Sequence, residues 1–258
     1  MIILHGLYGC SDNWLHIVHA LSSAYTVYAV DLRNHGHSPH FQEHTYNSMA
    51  LDVMELIHSE HLERPILLGH SMGGKVVMNL LAHRYGTFRA AMVADIAPIA
   101  YAPVAGNSPH MQVHMDMMRA MMSVPLDTIR RREEADVYLA DAVPEKRTRL
   151  FLLKNLYLAS SGHFSWRLNL PVLAQALPHI LNGVDNLTPL SDPADRIPML
   201  FLKGEQSAYI GREGEEAIRR LFPQAELATV LRAGHWLHFE QPEAFLDQVM
   251  RFLRNRVE

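Results

Sequence analysis

The sequence has little cysteine and no long hydrophobic run. Cys10 is the only cysteine among 258 residues, so a disulfide within the chain is impossible. No apolar stretch is long enough to cross a bilayer. The opening residues, MIILHG, lack the basic stretch and long apolar core of a signal peptide. We therefore expect a cytoplasmic protein that does not insert into a membrane.

The chain also lacks a large excess of charge of either sign. Charged residues make up 19% of the chain and the net charge is −4, which gives no reason to expect nucleic acid as a partner. Hydrophobic residues make up 48%, an ordinary value for a globular protein. The length suits one sizeable α/β domain with an insertion. Monomer and homodimer both remain open.

Short β-rich runs alternate with helical patterns over most of the chain. The runs are IIL at 2–4, VYAVD at 27–31, PILLG at 65–69, AMVAD at 91–95, MLFLK at 199–203 and LATVL at 227–231. Alternation of strands and helices predicts an α/β fold with a mostly parallel central sheet and helices on both faces.

The alternation stops between about residues 103 and 190. Helix-like segments without a convincing strand fill this stretch, at 108–122, 126–140, 145–158 and 170–181. We therefore expect an all-helical cap over 103–190, inserted into a core formed by 1–102 and 191–258. The first segment carries five methionines between 115 and 122, which fits an apolar pocket lining, methionine used as packing, or a split with one face packed and the other facing the pocket.

Residues 64–86, RPILLGHSMGGKVVMNLLAHRYG, combine a short apolar run, a sharp turn and a helix pattern. The pattern Gly69-x-Ser71-x-Gly73 alone is a weak match, whereas strand, turn and helix together are typical of a nucleophile elbow. The strained turn lifts the serine hydroxyl clear of the backbone, where a base can reach it. We predict Ser71 as the catalytic nucleophile; the alternative is an ordinary glycine-rich turn.

Two backbone amides are candidates for an oxyanion hole. Met72 directly follows the nucleophile at a helix N-terminus, so its amide can face a developing negative charge. Leu7 follows the first strand in IILHGLYG, and its amide is the expected second donor. His5 ends that strand, and we expect it to brace the loop rather than to take part in catalysis.

The catalytic base must be chosen among 17 histidines. In chain order it should follow the last strands, on a loop at their carboxyl ends. His235, in LATVLRAGHWLHFEQPEAF, occupies such a position just before the final helix. His238 is the rival, but it lies closer to that helix and fits a packing role better. We predict His235 as the base.

The motifs HG near the start, DLRNHGHS at 31–38, GHSMGG at 69–74 and AGHWLHFEQPEAF at 233–245 together resemble the α/β-hydrolases. They cover essentially the whole chain outside the expected cap, in the family's order. In many members the acid follows the penultimate strand in a Gly-Glu-x-Asp context. The matching stretch here, FLKGEQSAYI, has Ser207 at that position, and a serine cannot hold a negative charge beside an imidazolium.

Asp95 is therefore the predicted acid, because it ends the strand that follows the nucleophile helix. The exchange of an aspartate here for a serine at the later position is similar to the YbfF-type bacterial acyl esterases. The stretches FLLKNLYL at 151–158 and FSWRLNL at 164–170 also resemble that branch. Glu205 is the runner-up acid, and the alternative role for Asp95 is to cap the following Ala97–Pro98 turn.

Other polar residues fit more than one role. His35 with His37, and His110 with His114, have spacings that could bind a metal, but neither pair has a thiolate or a clear carboxylate partner. Arg167 could hold a substrate anion or brace the cap through a salt bridge. We expect neither a metal nor an organic cofactor.

These residues and the resemblance together predict a carboxylesterase-type serine hydrolase. Its substrates would be small carboxylic esters or acyl thioesters of short to medium acyl chain, cleaved through an acyl-enzyme intermediate. A C–C bond hydrolase or lyase on the same fold uses similar groups and is the enzymatic alternative. A small-ligand receptor with little turnover is a further alternative, but a receptor has no need of the complete set Ser71, His235 and Asp95.

Overall fold

The computed structural model describes residues 1–83, 85–101, 108–184, 189 and 197–257. Its main sheet has six parallel strands in the spatial order β2-β1-β3-β4-β7-β8, and a separate hairpin pairs β5 with β6. The strands are β1 (Ile2–Leu4), β2 (Tyr28–Val30), β3 (Ile66–His70), β4 (Ala90–Ala94), β5 (Leu156–Leu158), β6 (Phe164–Trp166), β7 (Met199–Gly204) and β8 (Glu226–Val230).

Helices separate the strands of the main sheet, as parallel neighbours require. Besides a 3-10 turn at Ser11–Trp14, the helices are α1 (Leu15–Leu21), α2 (Tyr46–Ser59), α3 (Met72–Ala82), α4 (Pro109–Ser123), α5 (Arg132–Leu139), α6 (Lys146–Leu153), α7 (Leu170–Leu181), α8 (Arg212–Leu221), α9 (Leu237–Glu240) and α10 (Pro242–Arg256). No helix among the described residues combines the length and the apolar character that a membrane span requires.

Alternate residues of each strand point to opposite faces of the sheet, and both faces are buried. On one face Ile3, Leu68 and Leu202 pack with α1 and α10, as part of one hydrophobic cluster. On the other, the cluster includes residues of α2, α3 and α8 and continues into α4–α7. The predicted sheet is confirmed: each of the six β-rich runs forms a strand within one residue of its expected bounds.

The expectation of an all-helical insertion is wrong in one place. The segment predicted as a helix over 145–158 ends as α6 at Leu153, and the chain then forms the antiparallel hairpin of β5 and β6. A tight turn allows this, because Gly162 has a φ of 82° and Ala159 donates its amide to the carbonyl of His163 at 2.9 Å. The hairpin then packs on α4, whose Met121 carbonyl accepts from the Trp166 indole at 3.0 Å.

The rest of the insertion follows the prediction with shifts at the ends. The structure places α4 and α7 at the expected positions, whereas α5 begins only at Arg132 instead of near residue 126. The expected boundaries between cap and core, at 102–103 and 190–191, lie outside the described residues. We use "proposed cap" below for residues 108–184.

Candidate active site

A strained turn between β3 and α3 presents Ser71. The serine has φ 51° and ψ −117°, a conformation that L-residues rarely adopt and that costs about 1–3 kcal/mol. Glycine at 69 permits the turn, because a β-carbon there would overlap the backbone of Gly73. A β-carbon at Gly73 would in turn overlap the carbonyl of Leu4. The glycines at 69 and 73 are therefore explained by close backbone contacts.

Parallel strands bring the predicted residues to one edge of the sheet. Leu4 pairs with Gly69 and His70 pairs with Ala94, so the loops after β1, β3 and β4 leave the sheet side by side. The Ser71 amide donates to the Ala94 carbonyl at 2.9 Å, which places the nucleophile directly beside the start of the next loop. This arrangement brings residues together that are far apart in sequence.

The His235 ring lies between Ser71 and Asp95. Its Nε2 lies 3.1 Å from the Ser71 hydroxyl, and its Nδ1 lies 2.8 Å from Oδ2 of Asp95. The predicted base is thus within hydrogen-bond distance of both the predicted nucleophile and the predicted acid. The arrangement can transfer a proton from Ser71 to His235 while a carboxylate faces the opposite ring nitrogen.

The Asp95 carboxylate is completely buried and hydrogen-bonded on both oxygens. Oδ1 accepts from the Gly204 amide at 2.9 Å, and Oδ2 accepts from the Ser207 hydroxyl as well as facing His235. Sequence reasoning rejected Ser207 as the acid and gave it no other role. Its position in place of the family's usual aspartate was the available signal, because that position had to lie beside the base.

The rival residues have other partners. The Glu205 carboxylate accepts from the Arg232 amide at 2.8 Å. His238 is buried and stacks on Trp14, with ring centroids 4.0 Å apart, and burial lowers its pKa to about 3. His5 makes the expected bracing contacts: Nδ1 lies 2.8 Å from the Gly6 carbonyl, and Nε2 accepts from the Leu32 amide at 3.0 Å.

A cavity of about 330 Å³ opens above the nucleophile. Its lining combines Ser71, His235 and both predicted oxyanion residues, Leu7 and Met72, with apolar and aromatic side chains of core and proposed cap. Among the described lining residues there is no aspartate, glutamate, lysine or arginine. Burial also lowers the pKa values of the lining histidines His70, His110 and His114. The cavity therefore suits an uncharged, largely apolar group.

The methionines of α4 serve mainly in packing. Met118 and Met121 are fully buried in the hydrophobic cluster, and Met122 is exposed. Only Met117 of the five lines the cavity in the described residues. The structure thus divides the methionines between the two roles, with packing the main one and Met117 alone of the five facing the cavity among the described residues.

The remaining polar candidates are Arg167 and the two histidine pairs that were considered as metal ligands. The Arg167 guanidinium contacts the His37 ring and lies 5.4 Å from the centre of the Tyr157 ring, so it braces the fold through aromatic side chains rather than through a salt bridge. Across the described residues, no three histidine, cysteine, aspartate or glutamate side chains converge as a metal site would require.

A buried lysine behind the nucleophile was missed in the sequence. Lys75 lies one turn after Ser71 and is almost completely buried. Its ammonium donates to the carbonyls of Ile99, at 3.1 Å, and Asn182, and lies 4.9 Å from the centre of the Tyr101 ring. Burial lowers its pKa to about 7. This lysine ties α3 to Ile99, which precedes the proposed cap, and to Asn182, near the cap's last described residue.

Comparison with known proteins gives one consistent family. Residues 1–248 match the alpha/beta hydrolase family. The chain is 38% identical to the sn-1-specific diacylglycerol lipase ABHD11 of Mus musculus, over 98% of this chain and 80% of that protein. It is 31% identical to the esterase YbfF of Escherichia coli (strain K12), over 99% of this chain and 93% of that protein. Among solved structures, a marine microorganism esterase matches with a TM-score of 0.90 and 38% identity, over 98% of this chain and 94% of that one.

Proposed function

The chain belongs to the alpha/beta hydrolase family and is a carboxylesterase-type hydrolase, and from this premise we propose that Ser71, His235 and Asp95 are its catalytic triad. The observation that carries the proposal is the pair of hydrogen bonds on His235, at 3.1 Å to the serine hydroxyl and 2.8 Å to the aspartate. The strained backbone of Ser71 supports it, because strain of this kind is typical of a nucleophile elbow.

The reaction is acyl transfer to water. His235 takes the proton of Ser71 as the serine oxygen attacks the substrate carbonyl, and Asp95 stabilises the imidazolium that forms. The amides of Leu7 and Met72 donate to the oxyanion. In related enzymes each such donor stabilises the transition state by about 3 kcal/mol. The alcohol or thiol leaves with the proton from His235, and water releases the acyl group by the reverse route.

The cavity lining supports uncharged carboxylic esters or acyl thioesters of short to medium acyl chain as substrates. A charged group would lose its hydration in the cavity without an ionic partner among the described lining residues. The relatives named as a diacylglycerol lipase and as esterases make neutral acylglycerols and simple esters the compounds to test first. They do not favour a C–C bond hydrolase, a lyase or a receptor.

The division into cap and core, the cellular compartment, the partner and the oligomeric state are part of the same proposal. A cap over 103–190 covers a core of 1–102 and 191–258, and its helix α4 supplies one wall of the cavity. The lone, buried Cys10 supports a reducing compartment such as the cytoplasm. A small ester is the expected partner, and the protein acts as a monomer or a homodimer.

A panel of p-nitrophenyl esters of increasing acyl length tests the proposal. Ser71→Ala should lower kcat by at least about 10³-fold at every length, because the nucleophile is removed. Ser22→Ala, which changes an exposed serine directly after the last residue of α1, is the matched control and should leave kcat unchanged. Hydrolysis by Ser71→Ala at the wild-type rate would refute the assignment. The acyl length with the highest kcat/KM measures the usable depth of the cavity.

A further inference from the structure

A histidine of the proposed cap contacts two tyrosines of the core. One tyrosine adjoins the proposed oxyanion donor, and the other adjoins the proposed base. His114 lies on α4, with its Nδ1 3.2 Å from the Tyr8 hydroxyl and its Nε2 3.4 Å from the Tyr209 hydroxyl. The Tyr8 hydroxyl also donates to the His114 carbonyl at 3.3 Å. None of the three residues has a part in the acyl-transfer steps above. We call this set the Tyr8–His114–Tyr209 bridge.

Both core residues of the bridge adjoin groups that act in the reaction. Tyr8 directly follows the proposed oxyanion donor Leu7 and is almost completely buried. The ring of Tyr209 stacks on the ring of His235, with centroids 3.9 Å apart and planes 20° from parallel. A stacked ring limits rotation of the imidazole away from its hydrogen-bond partners. Its π face also attracts the imidazolium that forms during the reaction.

The backbone of Tyr209 is held by the core, whereas its hydroxyl reaches the proposed cap. The amide of Tyr209 donates to the Ser207 hydroxyl at 3.2 Å, and its carbonyl accepts from the Tyr101 hydroxyl at 2.6 Å. These bonds hold the backbone of the loop, while the ring lies against the rings of Tyr101, His110 and His235, with centroids 5.3, 5.1 and 3.9 Å away. The contact between the Tyr209 hydroxyl and His114 fixes the far end of the ring.

A neutral imidazole is well suited to join two hydroxyl groups. It has one donor and one acceptor nitrogen, so it can donate to one tyrosine and accept from the other. Burial lowers the pKa of His114 to about 4, and a charge on His235 acts in the same direction. The His114 ring therefore stays neutral while His235 carries the proton of Ser71, and it does not compete for that proton.

We infer from these contacts that His114 and Tyr209 are positioning residues for the catalytic base, so that His235 is held in its reactive orientation only while α4 is seated on the core. The inference rests on the proposed roles of Ser71 and His235. It adds that hydrolysis depends on the docking of α4 through the hydrogen bond of His114 to Tyr209, beside the ring contact that His110 of the same helix makes with Tyr209.

The test compares His114→Leu, Tyr209→Phe and the double variant with wild type on p-nitrophenyl butyrate. Each single change should lower kcat about tenfold and leave KM within about twofold, because the base is misplaced while the cavity keeps its apolar lining. The double variant should lose no more than either single variant, since both changes break the same contact. A raised KM with unchanged kcat, or losses that multiply, would show that these residues only pack the cap.

Two further variants separate positioning from a loss of folding. His114→Gln keeps a donor and an acceptor and should recover part of the lost kcat. Gln112→Ala removes a hydrogen bond to Asp116 at 2.8 Å on the exposed side of α4, and it should leave kcat unchanged. The rate of Ser71 labelling by a fluorophosphonate should fall in parallel with kcat in His114→Leu and Tyr209→Phe. A labelling rate equal to wild type in both would overturn the inference.

The same experiment distinguishes this inference from the proposed function. Loss of hydrolysis in Ser71→Ala together with wild-type kcat in both bridge variants would reject the bridge and leave the triad in place. Hydrolysis in Ser71→Ala at the wild-type rate would reject the triad, and the inference with it. Tyr209→Phe keeps the aromatic ring in the core, so the test stands even if His114→Leu folds poorly.

Discussion

The role of Asp95 can be tested by removing its charge while keeping its shape. Asp95→Asn retains an oxygen that can accept from Gly204 or Ser207, the two donors that hold the carboxylate in place. What it loses is the negative charge facing Nδ1 of His235 at 2.8 Å. An asparagine NH₂ group in that position would also favour the wrong tautomer of the imidazole.

The expected loss is large because Asp95 is completely buried and its charge is not screened by solvent. We expect kcat to fall about 10⁴-fold, which corresponds to about 5.5 kcal/mol of transition-state stabilisation. KM should change by less than about threefold, because Asp95 does not line the cavity. Steady-state hydrolysis of p-nitrophenyl butyrate measures both constants, and circular dichroism checks that the variant is folded.

Position 207 offers a second, constructive test. The Ser207 hydroxyl donates to the Asp95 oxygen that faces His235, so a carboxylate placed at 207 would lie near the base. Asp95→Asn combined with Ser207→Asp should therefore regain at least about tenfold of the kcat lost by Asp95→Asn alone. Ser207→Ala is the matched control and should lower kcat by less than about tenfold, since the aspartate remains charged.

Two results would refute this reasoning. Asp95→Asn with kcat near the wild-type value would show that the base needs no charge at this position. A loss of kcat in Glu205→Gln as large as that in Asp95→Asn would move the acid role to Glu205. The structure predicts that Glu205→Gln is nearly neutral for kcat, because its carboxylate accepts from the Arg232 amide at 2.8 Å.

Two further predictions concern stability. Folding lowers the pKa of Lys75 from 10.5 to about 7, so between these values the unfolded chain binds more protons and stability rises with pH. The difference in unfolding free energy between wild type and Lys75→Met should therefore shift in favour of wild type by about 1.4 kcal/mol per pH unit between pH 7.5 and 9. Urea titrations of both proteins measure this difference, and a difference that does not change with pH would contradict the prediction. Gly69→Ala should lower the unfolding free energy by about 3 kcal/mol, because the new β-carbon meets the rigid backbone of Gly73. Gly211→Ala, where a β-carbon meets nothing within 4 Å, should change it by less than about 0.5 kcal/mol, and equal effects of the two would refute the packing argument.

Several features were determined by the sequence because they depend on short-range patterns. Apolar runs bounded by turn residues identify the six strands of the main sheet, since buried parallel strands need such runs on both faces. The turn around Ser71 is recognisable because only small residues fit beside it. The approach of Asp95 and His235 to one another could be predicted from their order in the chain, because the carboxyl ends of parallel strands meet at one edge of the sheet.

The β5–β6 hairpin shows where local patterns stop being sufficient. The residues LYL of β5 continue the helical pattern of 145–158, and the residues FSW of β6 lie between two predicted helices. An indole hydrogen bond from Trp166 to α4 helps to hold the hairpin. Tertiary packing overrides local preference in such short segments, because three residues contribute little preference of their own.

Only the tertiary structure decided which side chains support the proposed triad. Nothing in the local sequence pairs Ser207 with Asp95, places His114 between Tyr8 and Tyr209, or surrounds Lys75 with backbone carbonyls. Tyr8 and His114, for example, are separated by 106 residues. Such contacts depend on how whole elements pack against each other, and a hydrogen bond forms or fails over a few tenths of an ångström. Sequence patterns of strands, helices and turns do not specify distances at that scale. These side-chain contacts can therefore be read only from the folded chain.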